Sequence, residues 1–224
     1  MDHDSHPTLH SAITRPTHPA TGATRALLGC GIAAGPVFVL VSAAQVLTRE
    51  GFDLGRHPIS LLALGELGWI QVANFVVAGL LAVAGAVGMR RVLHPGRAGT
   101  WGPLLVGAFG VGLALGGVFP TDPYLGFPPG ATAPASRSWH ALVHDLAPGL
   151  ALDAVIIATA VFARRFAGRR RHGWMLYGLA TGAAVLVLSF WPSLEGISVR
   201  LAVAVMLAFA WVSAISTMLR PART

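Results

Sequence analysis

The 224-residue chain has no lysine, a single cysteine (Cys30) and two tyrosines, and only 11% of its residues are charged. A soluble domain usually carries about a quarter charged residues, so an ordinary water-soluble globule is a poor reading of this composition. One thiol excludes an internal disulfide framework and any cysteine-based zinc or iron–sulfur cluster. With lysine missing, the formal charge of +7 comes from sixteen arginines set against nine acids. A nucleic-acid reader gathers its basic residues on one surface. Here they recur in short clusters between long apolar runs, so the expected partner is membrane lipid and not nucleic acid. The Gly-x-Ser-x-Gly, His-Glu-x-x-His and phosphate-loop patterns are also missing, and with them the usual signatures of serine hydrolases, zinc proteases and nucleotide binders.

What the chain has in abundance is apolar sequence: 54% of residues are hydrophobic and the mean hydropathy is +0.65. Crossing about 30 Å of hydrocarbon takes about 20 mainly apolar residues. Six segments qualify: 26–47, 67–89, 101–119, 140–163, 172–192 and 197–219. The expected fold is therefore all-α, an integral membrane bundle of six transmembrane helices. Residues 1–24, polar and dotted with His3, His6, His10 and His18, read as a disordered tail, because such a segment buries too little apolar surface to offset chain entropy. Residues 25–220 form the membrane domain and 221–224 a short second tail. The first apolar run exceeds the 7–15 residues of a signal peptide core and reads as an uncleaved span.

Six spans put both termini on one side, and arginine placement orients them. Arg15, Arg25, Arg90, Arg91, Arg97, Arg164, Arg165, Arg169, Arg170, Arg171, Arg220 and Arg223 fall on the terminal side; Arg49, Arg56, Arg137 and Arg200 fall opposite. Both termini are thus expected in the cytoplasm, in a multi-pass cell-membrane protein. Tryptophan prefers the headgroup level. Trp69, Trp139 and Trp191 fall at outer span ends, Trp101 and Trp174 at inner ones, and Trp211 deeper. The small-xxx-small spacings Gly31/Gly35, Gly112/Gly116 and Gly178/Gly182 suit close helix approach.

At 1.5 Å of rise per residue, the polar residues of five spans collect in the outer third. They include Ser42 and Gln45, Gln71 and Asn74, Thr121 and Asp122, His140 to Asp145, and Ser189. His140 and His144 are four apart and share a helix face, the spacing by which one helix offers two nitrogens to a metal. Zinc is accordingly a candidate cofactor on His140 and His144, with further ligands to come from His57, Asp122 or Asp145. The candidate pocket residues are His57, Ser60, Asp122, His140, His144 and Asp145. Pro148 cannot donate to the carbonyl of residue 144, so span 4 is expected to bend there. Asp153 lies about 20 Å below the outer start of span 4, where a charge costs roughly 2.5–3.5 kcal/mol on insertion scales. Thr181, at comparable depth, is its expected partner.

The string Arg56-His57-Pro58-Ile59-Ser60, then Leu64-Gly65 and Gly68-Trp69, then Phe119-Pro120-Thr121-Asp122-Pro123 and finally His140 and His144 resembles the domain-of-unknown-function family 998 over residues 28–217. The resemblance implies a bacterial or archaeal multi-pass membrane protein of about six helices with an outward-facing polar cluster, and it brings no reaction with it. The inventory of His, Asp and Ser is also similar in kind to that of seven-helix ceramidase-type hydrolases, which set zinc among three His and an Asp; the order and helix count here differ. The leading expectation is a membrane protein with an extracytoplasmic pocket for a small ligand or lipid headgroup. A metal-dependent hydrolase of a lipid-linked substrate, with Asp122 or Asp145 as acid and base, and a small transporter subunit are the alternatives.

Overall fold

The computed structural model describes residues 22–220. Its long elements are six helices: α1 (Gly22–Thr48), α2 (Gly68–Leu93), α3 (Arg97–Val118), α4 (Trp139–Gly168), α5 (His172–Phe190) and α6 (Ile197–Leu219). Each is long and apolar enough to cross a membrane. The helices begin or end within a few residues of the apolar segments, and the differences have a cause. α2 runs on through Arg90 and Arg91, and α4 through Arg164 and Arg165, because arginine is a good helix former and a cation suits the negative end of the helix dipole. α1 starts at Gly22, inside the segment assigned to the tail. The tail histidines His3, His6, His10 and His18 and the segment 221–224 lie outside the described residues.

The helices pack in chain order, each on the next, and α6 returns to α1 to close the ring. Lipid supplies no hydrophobic drive between helices, so close van der Waals packing must hold them. Where α2 crosses α3, a Cβ added at Gly79 would lie 2.4 Å from the Gly110 carbonyl oxygen. Where α3 meets α4, a Cβ on Gly112 would lie 2.5 Å from the Ala147 carbonyl oxygen, and one on Gly116 would lie 2.8 Å from the Pro148 ring. The Gly112/Gly116 spacing thus seats α4 directly on α3, and α4 continues as one helix through Pro148. Aromatic rings fill the middle: Phe38 stacks on Phe209 at 4.9 Å between centroids, and Phe209 meets Phe109 edge-on at 5.0 Å. Trp211 is fully buried, while Trp69, Trp101, Trp139 and Trp191 stand exposed at the helix ends. Leu40, Leu80, Leu104, Leu150 and Leu176 face outward, each more than half exposed. Water would penalise that surface at about 25 cal/mol per Å²; hydrocarbon does not. This is a multi-pass membrane protein.

Two ends result. One carries the short connections 94–96 and 169–171 and most of the arginines. The other carries the long connections 49–67 and 119–138. Just below that loop end, α1 and α2 are clasped by a buried amide network. Gln45 donates to Gln71 Oε1 (2.6 Å), Gln71 donates to Ser42 Oγ (3.2 Å), and Asn74 donates to Ser42 Oγ and the Phe38 carbonyl (3.1 Å each). The polar residues expected at this level of spans 1 and 2 therefore bond chiefly to one another, with Gln45 Oε1 and Asn74 Oδ1 left without a donor among the described residues.

Candidate functional site

The two long connections cover the bundle end, and their side chains hold them there. Segment 49–67 folds back on a 3-10 turn (Ile59–Ala63) whose Leu61 and Leu62 are fully buried. Arg49 at the end of α1 donates to the carbonyls of Leu62 (3.2 Å) and Leu64 (2.6 Å). Ser198 at the start of α6 donates to the Arg56 carbonyl at 2.9 Å. His57, 3% exposed, fastens this connection to the other one. Its Nδ1 accepts the Asp53 N–H at 3.0 Å, so Nε2 carries the proton and donates to the Leu125 carbonyl at 3.2 Å. Its ring sits 5.5 Å from Phe127. Both nitrogens are engaged, so His57 is a fastener and does not line the cavity below.

Asp122 and His140 meet at the start of α4. Ser138 is the N-cap, its Oγ accepting the Ala141 N–H at 3.2 Å. Asp122 accepts both the Ser138 hydroxyl (2.6 Å) and the Ser138 N–H (2.8 Å). These bonds, the hydroxyl first and the N–H second, hold the Asp122 carboxyl below its ordinary range. A carboxylate only accepts, so the Ser138 hydroxyl hydrogen lies on Asp122, and His140 Nδ1–H must donate to Ser138 Oγ at 2.8 Å. Capping of this kind stabilises a helix by about 1 kcal/mol. His140 keeps Nε2 open and rests edge-on against Trp139. Neither Asp122 nor His140 lines the cavity.

His144 is placed differently, and proline explains why. Gly116 lies in the last turn of α3, where its carbonyl would take the N–H of residue 120; that residue is Pro120, which has none. His144 supplies the missing donor from α4. Its Nδ1 lies 2.8 Å from the Gly116 oxygen and 2.9 Å from the Phe119 oxygen. Two carbonyls can only accept, so Nδ1 carries a proton, and in the neutral imidazole Nε2 is a bare acceptor. His144 is 5% exposed. It lines a cavity of about 290 Å³ among α2, α3, α4, α6 and both long connections.

Ser60, His144 and Asp145 come together on this cavity, with Thr121 and Tyr124 beside them. Phe75, Leu113, Pro148, Leu152, Leu201 and Val205 form its apolar wall. Asp145 pairs with Arg137 from the 119–138 connection, both groups half exposed. Burial, and next the Asp145 carboxylate, push the Tyr124 phenol above its ordinary range. Asp153 is half-buried on a neighbouring cavity of about 270 Å³ that shares Asp145, Gly149, Leu152 and Leu201 with the first. Thr181 does not reach it, because its hydroxyl donates to the Tyr177 carbonyl one turn back at 2.9 Å. Thr121 and Tyr124 on the first cavity, and Ser189 beside Asp153 on the second, were not among the expected pocket residues: two lie in a connection without periodicity, and Ser189 read only as a span end.

A structural zinc site needs four protein ligands and a catalytic one three. The Nε2 atoms of His140 and His144 are open, but His57 and Asp122 are engaged elsewhere. Among the described residues no three His, Cys, Asp or Glu side chains gather where they could hold a metal ion. Among the described residues the donors do not make up a zinc site.

The chain matches the family described as protein of unknown function (DUF998) over residues 32–218, most of its length, and so belongs to that family. No curated protein and no solved structure matches it.

Proposed function

We propose that this member of the DUF998 family uses the cavity at its loop end to hold the polar head of a bilayer lipid or other small amphiphile. One observation carries the reading: the neutral His144 ring is held as the Nδ1–H tautomer by two backbone carbonyls, and its Nε2 is left without a partner among the described residues on a cavity whose other wall is apolar. A bare imidazole nitrogen accepts a hydrogen bond, so the fitting head carries a hydroxyl or ammonium donor. Ser60, Thr121 and Tyr124 add hydroxyls, and Asp145 adds negative charge at the rim. The volume, about 290 Å³, sits at the lower edge of the roughly 300–1,000 Å³ typical of small-molecule sites. It suits a headgroup, with the chain of the amphiphile lying along α4 and α6.

The arginine distribution supports an orientation in which the loop end faces away from the cytoplasm and both termini lie inside it. Native mass spectrometry of the full chain, extracted in mild detergent, tests the cavity. The wild type is expected to retain a discrete amphiphile, and Val205→Phe, which fills the apolar wall without touching His144, is expected to lose it. Retention unchanged by Val205→Phe, or no retained species in the wild type, refutes the reading.

A further inference from the structure

The opposite end of the bundle carries a second, chemically different cavity. It measures about 190 Å³ and is lined by Arg165, Arg169 and Arg171 over a floor that includes Phe162, Phe166 and Met218. Arg165 belongs to the last turn of α4, and Arg169 and Arg171 to the connection that follows. The turn is tight: the Phe166 carbonyl accepts the N–H of both Arg169 (3.1 Å) and Arg171 (2.9 Å). Between them Arg170 takes a left-handed conformation, with φ of 56°, and does not line the cavity. Residues with side chains as long as arginine rarely adopt that conformation, and here it accompanies the placing of both flanking guanidinium groups on one cavity.

Among the described residues these charges have no carboxylate counter-ion. Among the described residues the one carboxylate ion pair is Arg137 with Asp145, at the far end. Every described acid lies on the far connections or no deeper than the middle of α4. The side-chain contact of Arg171 is a hydrogen bond to the sulfur of Met218 at 3.5 Å, a weak acceptor for a guanidinium. If these arginines served only to set topology, as juxtamembrane arginines commonly do, nothing would require them to surround a cavity with an apolar floor.

We propose that this cavity binds a phosphate group, the guanidinium forks of Arg165, Arg169 and Arg171 taking its oxygens and the Phe162, Phe166 and Met218 floor taking what is attached to it. Guanidinium matches phosphate bidentately and is weakly hydrated, which favours the pairing at a partly apolar site. The phosphate is either that of an anionic phospholipid or a free one, and the two sources give different results in one experiment.

The full chain is placed in nanodiscs of phosphatidylcholine alone or mixed with phosphatidylglycerol. Retained phosphatidylglycerol is counted by native mass spectrometry. Inorganic phosphate is titrated calorimetrically into the phosphatidylcholine discs. Two double variants of equal charge are compared: Arg169→Gln/Arg171→Gln, which removes two of the lining forks, and Arg90→Gln/Arg170→Gln, which removes two exposed arginines of the same end that do not line the cavity. A guanidinium hydrogen bond to a charged group contributes about tenfold or more, so the first variant, which removes two of the lining forks, is expected to weaken binding by at least about tenfold, and the second to leave most of it. Loss of retained phosphatidylglycerol identifies a lipid; calorimetric binding of inorganic phosphate, lost in the same variant, identifies a free anion. Equal weakening by both variants means a diffuse field and overturns the proposal. So does the absence of both retained phosphatidylglycerol and phosphate binding in the wild type.

Discussion

The His144–Pro120 relation yields the sharpest test of the structure. His144→Leu keeps a side chain of similar bulk but removes the Nδ1–H that serves the carbonyls of Gly116 and Phe119. A hydrogen bond of this kind contributes about 1 kcal/mol net, and a buried acceptor left without its donor costs about 1–3 kcal/mol. The Gly116 carbonyl has no fallback within α3, since residue 120 is proline. The expected loss is therefore about 2 kcal/mol. Pro120→Ala restores a backbone N–H at the position from which a helix would serve Gly116, so the double variant His144→Leu/Pro120→Ala is expected to recover about 1 kcal/mol of that loss. Pro120→Ala by itself is expected to cost little, chiefly the unfolded-state entropy that proline removes. Reversible unfolding in mixed detergent micelles, followed by tryptophan fluorescence, gives the four free energies of the cycle. Residues sharing a partner show coupling of about 0.5 kcal/mol or more. If His144→Leu stays within about 0.5 kcal/mol of the wild type, or the two single effects simply add, the reasoning that ties His144 to the proline-ended helix fails.

The six helices were legible because a bilayer demands long apolar runs, and that demand is written in composition alone. Their arginine-rich ends were less so: arginine reads as an end to an apolar run, yet it continues a helix readily, as Arg91 and Arg165 do. The 3-10 turn at Ile59–Ala63 carried no such signal, being too short for a periodicity. At the candidate site the sequence displays polar residues at one level but not which atoms remain unpaired. His57, Asp122 and His140 look like His144 on the page. Three are engaged by Leu125, Ser138 and the start of α4, and only His144 lines the cavity. Thr181 was a readable case, because threonine within a helix commonly bonds its own preceding carbonyl, and it does so here in place of reaching Asp153.

Those pairings change what two strings of the sequence mean. The Arg56 to Ser60 and Phe119 to Pro123 strings contain the parts that fasten two long connections over the bundle: His57 to Leu125, Arg56 to Ser198, Asp122 to Ser138, and Pro120 creating the vacancy that His144 fills. A motif made of fasteners specifies a covered end. The chemistry of that end then rests with the groups that the fastening leaves open, His144 Nε2 and the hydroxyls of Ser60, Thr121 and Tyr124.

Two further outcomes are expected. Reporter domains fused after Arg97 and after Gly168 should report the cytoplasm and one after Gly130 the opposite side, since arginines cluster at the first two connections; a cytoplasmic signal at Gly130 reverses the orientation. The acid limb of stability should depend on Asp122. Its folded-state pKa is depressed by the Ser138 hydroxyl and N–H, so its contribution is complete above the unfolded value of about 3.9 and is lost as pH falls through the lower, folded value. Asp122→Asn cannot gain a charge above that window, so thermal midpoints followed down through it should fall for the wild type with a component that the variant lacks. Ser138→Ala removes the hydroxyl bond that contributes most to the depression and should shift that component toward the unfolded pKa. If the three acid profiles superimpose, the capping cluster at the start of α4 does not hold the Asp122 carboxylate in the folded protein.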